Sequence, residues 1–316
     1  MENRNTTAAS KKVIFMGTPA FATASLQALI DAGIEVCAVV TVPDKPAGRG
    51  QKMHESAVKI AANAHQIPVL QPEKLRNPDF LEQLRSFDAD LFVVVAFRML
   101  PEAVWSMPRL GTINLHASLL PQYRGAAPIN HAIIQGEKRS GVTTFQLQHA
   151  IDTGAILEQQ EVPVTEEMNA GDLHDKLMEV GAELLVSTVQ SLFAGTAIAK
   201  PQSEVDQPLP LKEAPKLTKE FGMIDWHQPN ESVYNLIRGL SPYPGAYTSL
   251  DGKMLKIYET QKINEAPTVE PGKYQTDGKN YLQFATQNGW IRLRQIQLEG
   301  KKRMGIEEFL RGYKFV

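Results

Sequence analysis

The segment Leu91-Phe92-Val93-Val94-Val95-Ala96 is apolar at every position. A strand with one face in water alternates apolar and polar residues, so an unbroken apolar strand belongs inside a parallel sheet covered on both faces. Through Phe97 the run is still far shorter than the ~20 residues a membrane helix needs. Around it, Val13 to Met16, Glu35 to Val42, Val69-Leu70, Thr112 to His116 and Thr143 to Leu147 read as further strands. Helical spacing predicts helices over 20–32, 56–65 and 80–87. Strands alternating with helices predict a doubly wound α/β domain with a mostly parallel sheet.

Residues 200–215 change character, with prolines at 201, 208, 210 and 215, and read as a linker. Beyond it, a helix over 231–240 is followed by short strands at 246–250, 254–258, 281–285 and 290–296. These are punctuated by the turn dipeptides Asp251-Gly252, Asp277-Gly278 and Asn288-Gly289. The expected architecture is a polar tail (1–11), a Rossmann-like catalytic domain (12–199), the linker (200–215) and a small OB-like β-barrel domain (216–316).

Hydrophobic residues make up 43% of the 316 and charged residues 22%, which excludes disordered, collagen-like and disulfide-scaffold classes. The single cysteine, Cys37, cannot bridge within the chain, and the polar first twelve residues do not form a secretory signal. A cytoplasmic protein without membrane contact is expected. The net charge of −2 hides an asymmetry. From Gln207 onward 16 Lys and Arg face 12 Asp and Glu, a surplus of four, whereas the rest carries a deficit of six. A basic second part facing a polyanion is one reading of that split, and ordinary scatter is the other.

Gly17-Thr18-Pro19 follows the first strand, but GxGxxG is missing and Pro19 lacks a backbone donor, which demotes a dinucleotide dehydrogenase. The loop Pro43 to Lys52 is not a Walker A loop. It carries Lys45, Arg49 and Lys52 just past a strand end, where phosphates or plain solvent are equally good company. In Asn114-Leu115-His116, residues two apart share one strand face, so the amide and the imidazole project together at the ligand-binding edge of the sheet. Asp152-Thr153-Gly154 follows the Thr143–Leu147 strand and can bring a carboxylate to the same edge to orient the imidazole. An ordinary Asx turn is the alternative there. Neither HExxH nor CxxC occurs, and no metal is expected.

Taken with Gly17-Thr18-Pro19-Ala20-Phe21-Ala22, Ser118-Leu119-Leu120-Pro121, Tyr123 to Pro128 and Leu240 to Pro244, these motifs resemble the folate-dependent formyltransferase superfamily. Within it, the Gly17–Ala22 motif, the Pro43–Lys52 loop and the second domain resemble the enzymes that formylate methionyl initiator tRNA. The resemblance implies formyl transfer from 10-formyltetrahydrofolate to the amino group of methionyl initiator tRNA. It assigns catalysis to Asn114, His116 and Asp152, and folate contacts to Ser118, Leu119, Leu120 and Pro121 with Val95, Ala96 and Phe97. Contacts to tRNA fall on Lys45, Arg49, Lys52, Lys216 and Arg238, and a monomer is expected. Arg292, Arg294 and Lys301-Lys302-Arg303 extend the basic surface.

Lys45 stands where many members of the family have arginine, and Phe97-Arg98 replaces a Tyr-Gly pattern. His149 takes a position more often acidic, and Ala155 one where Asp is common. The rival readings are a sugar-nucleotide N-formyltransferase, for which the basic loop has little purpose, and a catalytically silent RNA-binding protein, against which the trio argues. A glycinamide ribonucleotide formyltransferase would leave about a hundred C-terminal residues unexplained.

Overall fold

The computed structural model describes residues 10–47, 52–206 and 210–315, and of Ala47 and Lys52 the backbone alone. The chain forms two compact units. The first comprises Met1–Gln122, Gly141–Glu161 and Asp175–Leu211; the second comprises Tyr123–Ser140, Val162–His174 and Lys212–Val316.

Strands β1 (Lys12–Gly17), β2 (Glu35–Val40), β3 (Lys45–Ala47), β4 (Lys52–His54), β5 (Val69–Leu70) and β6 (Leu91–Val95) come first in the chain. They are followed by β7 (Thr112–His116), β8 (Arg124–Gly125), β9 (Arg139–Gln146) and β10 (Ile156–Pro163). Seven of them make one sheet in the order β10-β9-β7-β6-β1-β2-β5. The five strands from β7 to β5 in that order run parallel, while β9 is antiparallel to β7. As expected of a strand covered on both faces, β6 is buried at all five positions.

The order of strands fixes where a ligand can enter. From β1 the chain winds outward through β2 to β5 on one side, and through β6 to β7 on the other. The crevice beyond the carboxyl ends of β1 and β6 is therefore the topological switch point, where open α/β sheets bind ligands. Register carries this edge across the sheet, because Gly17 lies beside Val95, Val95 beside Leu115 and Leu115 beside Thr144. A Cβ at Gly17 would come within 2.6 Å of the Ala22 Cβ and 3.0 Å of the Val95 carbonyl oxygen. The turn after β1 thus needs glycine for close helix packing.

Helices α1 (Ala20–Asp31), α2 (Ala57–Ala64) and α3 (Pro78–Ser86) lie where the periodicity predicts them. Ser56 caps α2 by accepting from the Lys59 amide at 3.1 Å, and Asn77 caps α3 by accepting from the Asp79 amide at 2.8 Å. The sequence reading omits α4 (Glu102–Trp105), α5 (Pro128–Ile134), β10 and, above all, α6 (Ala170–Ala194). Asn169 Oδ1 accepts from the Gly171 and Asp172 amides, and Asp172 Oδ2 accepts from the Asn169 amide, a reciprocal cap that starts α6. By length and composition alone α6 could cross a membrane. Leu173, Leu177, Leu185 and Val189 are nevertheless fully buried, and the Thr188 hydroxyl lies 2.8 Å from that of Thr144 on β9.

In the second unit β11 (Glu213–Ala214) pairs in parallel with β8. After α7 (Asn230–Gly239) come β12 (Ala246–Leu250), β13 (Lys253–Ile263), β14 (Tyr274–Thr276), β15 (Leu282–Ala285), β16 (Trp290–Leu298), β17 (Met304–Gly305) and α8 (Ile306–Gly312). The strands form an antiparallel half-barrel in the order β12-β13-β16-β15-β14, with β17 on β16. Its core includes Val233 and Ile237 from α7, with Leu255, Ile257, Ile291 and Leu293 from the sheet. Trp226 stacks on Phe284 with ring centroids 4.6 Å apart. The fold is thus the mostly parallel α/β sheet followed by a small β domain that the alternation and turn signals predict.

Candidate active site

Asn114 and His116 end β7 on one face, and Leu115 points to the other. There Leu115 packs at Gly181 of α6, where an added Cβ would lie 3.0 Å from Leu115 Cδ2. His116 is buried and meets Phe145 of β9 edge-on, with ring centroids 6.5 Å apart. Asp152 comes from the loop between β9 and β10, and its Oδ2 lies 3.8 Å from His116 Nδ1. The structure therefore brings the imidazole and the carboxylate together at the carboxyl edge where β7 places Asn114.

The turn holding Asp152 has little freedom. Asp152 itself adopts φ +52°, in the left-handed region that Asp tolerates better than most residues. A Cβ on Gly154 would overlap the carbonyl oxygen of Gln146, so that position admits glycine only. From residues 200–205 the buried Gln202 reaches in, and its Nε2 donates to the Asp152 and Gly154 carbonyl oxygens, both at 2.9 Å.

A second network shapes the loop after His116. The Thr143 hydroxyl donates to the Ser118 carbonyl at 2.6 Å and accepts from the Leu120 amide at 3.2 Å. Gln159 Nε2 donates to both the Thr143 hydroxyl and the Leu120 carbonyl at 2.9 Å. The Ser118 hydroxyl donates to the Gln122 carbonyl at 2.7 Å. Leu120 fills a small core with Phe145 and Ile156. Among the positions expected to meet folate, Val95, Ser118, Leu120 and Pro121 are buried, whereas Ala96 is exposed and Leu119 and Phe97 are half-buried. Thr143, Gln159 and Gln202 carry no local sequence signal. Thr143 is placed by its register opposite His116.

Arg98 braces the strand-end loop. Its Nη1 donates to the Glu73 carbonyl at 2.9 Å and its Nη2 to that of Pro72, while the guanidinium lies against the Phe97 ring. His149 lies 3.3 Å from the Glu102 carboxylate and edge-on to Trp105. No cluster of three or more His, Cys, Asp or Glu able to hold a metal occurs among the described residues.

The expected tRNA contacts fare differently. Lys45 is exposed at the start of the β3–β4 hairpin, where it pairs with His54. The preceding Asp44 is fixed by Lys59 and by Gln71 Nε2 at 2.7 Å, and these donors hold its carboxyl below the usual carboxylate range. Arg49 lies outside the described residues, and Lys52 is placed by its backbone in β4. In the second unit exposed Lys216 lines a cleft of about 660 Å³ together with Lys219, Lys256, Tyr243 and Tyr247. Arg238 is buried and does not lie on an open basic surface. Its Nε donates to Asn235 Oδ1 at 2.8 Å and its Nη1 to the Met168 carbonyl at 2.8 Å. Those acceptors satisfy a guanidinium that could not be left buried without them.

Residues 11–189 match the family described as formyl transferase, and residues 216–314 the formyl transferase C-terminal domain. The α/β sheet with its edge site and the half-barrel are thus the two parts of a formyl transferase. The methionyl-tRNA formyltransferase of Bacteroides fragilis is 50% identical over 307 residues, covering 96% of this chain and 95% of that protein. The one from Parabacteroides distasonis is 51% identical over 310 residues, covering 96% of each. The chain belongs to the methionyl-tRNA formyltransferase family. Its fold is shared with HypX from Aquifex aeolicus, solved in complex with tetrahydrofolic acid. That match has a TM-score of 0.65 at 18% identity, over 98% of this chain and 49% of HypX.

Proposed function

We propose that the protein transfers the formyl group of 10-formyltetrahydrofolate to the amino group of methionyl initiator tRNA, with Asn114, His116 and Asp152 as its catalytic residues. The observation that carries this reading is the meeting of His116 and Asp152 at 3.8 Å, at the carboxyl edge where Asn114 also ends its strand. Near-full-length identity to methionyl-tRNA formyltransferases favours it over the sugar-nucleotide and silent RNA-binding alternatives.

The donor supplies an activated formyl group, and the chain supplies the rest. As the neutral amine attacks, negative charge grows on the formyl oxygen. The Asn114 amide donates to that oxygen, a contribution of roughly 3 kcal/mol. His116 stabilises the same charge and shuttles a proton. Asp152 orients the imidazole and helps take the proton that the amine loses as the new C–N bond forms. The old C–N bond to the carrier breaks, and the carrier nitrogen leaves protonated. Ala96, Phe97 and Leu119 offer the donor side-chain surface, and the buried Val95, Ser118, Leu120 and Pro121 set the backbone beside it.

Residues 12–199 would carry the chemistry and residues 216–316 would add to the grip on tRNA, with Lys45, Arg49 and Lys52 of the first part and Lys216 of the second as phosphate or base contacts. The exposure of Lys45 and the lysine-lined cleft at Lys216 support that assignment. The cytoplasm is where such a tRNA substrate is found, and a monomer suffices for a site built from one chain. The test is a formyl-transfer assay with 10-formyltetrahydrofolate, comparing methionyl initiator tRNA with an amino-sugar nucleotide. Formylation of the tRNA alone, lost in His116→Ala, is the expected result. Formylation of the sugar alone overturns the substrate, and silence on both overturns the enzyme.

A further inference from the structure

The catalytic assignment leaves one buried polar side chain unused, although it touches the turn that carries Asp152. Gln202 sits in the proline-rich stretch after α6, fifty residues from Asp152 in sequence, and is only 6% exposed. An amide NH2 has two protons. Gln202 aims one at the Asp152 carbonyl and one at the Gly154 carbonyl, both at 2.9 Å. Pinning these two oxygens fixes the 152–153 and 154–155 peptide planes, which bracket Thr153 and Gly154, and with the first of them the backbone orientation of Asp152.

The segment that delivers Gln202 is itself fastened on both sides. Before it, the Lys200 amide donates to the Ile156 carbonyl at 2.7 Å, and the Ile156 amide donates back to the Lys200 carbonyl at 2.8 Å. After it, Val205 packs on the Leu120, Phe145 and Ile156 cluster, which also seats the loop following His116. Within the turn, Gln148 Nε2 donates to the Thr153 hydroxyl at 2.7 Å, and that hydroxyl donates to the Ala150 carbonyl at 3.0 Å. These local bonds hold the Thr153 side chain, and Gln202 donates to the carbonyls of 152 and 154. Asp152 must also stay in the left-handed region, at φ +52°, which a loop without outside support would leave readily.

We infer that Gln202 is a positioning residue for the formyl transfer, a strap-borne amide that holds the Asp152 turn so that its carboxylate faces His116. The inference rests on the catalytic reading of Asp152. Gln202 touches neither substrate and acts through the turn. The stretch joining the two family domains is then part of the catalytic apparatus as well as a connection.

The test uses the full chain with Gln202→Met, which keeps the length of the side chain and removes its N–H donors. Gln202→Asn, which keeps the amide but cannot span both carbonyls, serves as the second variant should the first fail to fold. Single-turnover formyl transfer is followed against pH, beside KM for each substrate and the melting temperature. The rate constant should fall by up to about 10²-fold, as expected for a displaced catalytic group. Both KM values should stay within about twofold, and the melting temperature should fall because two carbonyls lose their donors. At temperatures where the variant is fully folded the rate should still be reduced, with the midpoint of the pH–rate profile shifted. A wild-type rate overturns the inference. So does a fall that merely tracks lost folded protein with the midpoint unmoved, since that is what a purely structural role produces. Asp152→Ala run in parallel separates the two readings. A wild-type rate there removes the catalytic role of Asp152, whereas a large loss there beside an intact Gln202→Met removes the positioning role alone.

Discussion

His116 Nδ1 lies 3.8 Å from Asp152 Oδ2, although one residue ends β7 and the other sits in the turn that leads into β10. The pair is useful only with a third group on the same side, and Asn114 is that group, two residues before His116 on one strand face. Asn114→Ala and His116→Ala are expected to lower kcat by about 10²- to 10³-fold, the usual cost of losing one donor to a developing oxyanion. The Kd for methionyl initiator tRNA should stay at its wild-type value. Filter binding and initial rates measured on one preparation check both statements. A matching loss of binding would make the two residues structural.

Gly154→Ala tests the turn from its other end. The new methyl would overlap the Gln146 carbonyl oxygen and approach Phe145 Cδ2 at 3.2 Å, so the backbone of the turn has to move. Overpacking of this kind costs about 1–3 kcal/mol. The expected outcome is a lower melting temperature together with a fall in kcat larger than the lost folded fraction explains, because Asp152 moves with the turn. Unchanged kcat in a variant that melts early would uncouple the turn from the chemistry.

The apolar run of β6, the helical spacing of α1 to α3 and the shared face of Asn114 and His116 are all local patterns, and all were legible in the sequence. What escaped depends on partners far along the chain. Helix α6 was nevertheless legible: Asp172, Asp175, Lys176, Glu179 and Glu183 recur along one helical face with Leu173, Leu177 and Leu185 off it, and the Asn169 and Asp172 cap marks its start, so the omission there is not one of missing signal. Gln202 lies in a proline-rich stretch whose composition says linker, and only folding brings its amide to the Asp152 turn. Arg238 reads as a surface cation, yet it is buried on the α7 face that carries Tyr234 and Asn235, the latter accepting from its Nε. Its acceptor at Met168 is seventy residues away.

A pH prediction comes from the Asp277 turn between β14 and β15. Asp277 Oδ1 accepts from the Lys279, Asn280 and Tyr281 amides, and these donors hold its carboxyl far below the ordinary carboxylate value. A carboxyl whose pKa is lower in the folded state contributes stability in full above its unfolded value of 3.8, and loses it as pH falls toward the folded value. Asp277→Ala should therefore melt below wild type at neutral pH, with the gap closing as pH is lowered through 3.8 and beyond. Melting curves of both proteins across the acid range test this. A gap that stays constant with pH would mean that the charge of Asp277 contributes nothing.

Lys216 and Arg238, both in the second unit, should separate by salt dependence. Lys216 is exposed in a cleft beside Lys219 and Lys256, whereas the Arg238 guanidinium is buried on Asn235 and the Met168 carbonyl. A lysine that neutralises one phosphate releases about one counterion, so Lys216→Ala should reduce the slope of log Kd against log salt by about one, and Lys45→Ala likewise. Arg238→Ala removes donors from buried acceptors and should cost about 1–3 kcal/mol of stability, read as earlier unfolding in denaturant. At concentrations where that variant is fully folded, its salt slope should equal that of wild type. A reduced slope in folded Arg238→Ala would return this arginine to the nucleic-acid surface, and unchanged slopes in the two lysine variants would take both lysines off it.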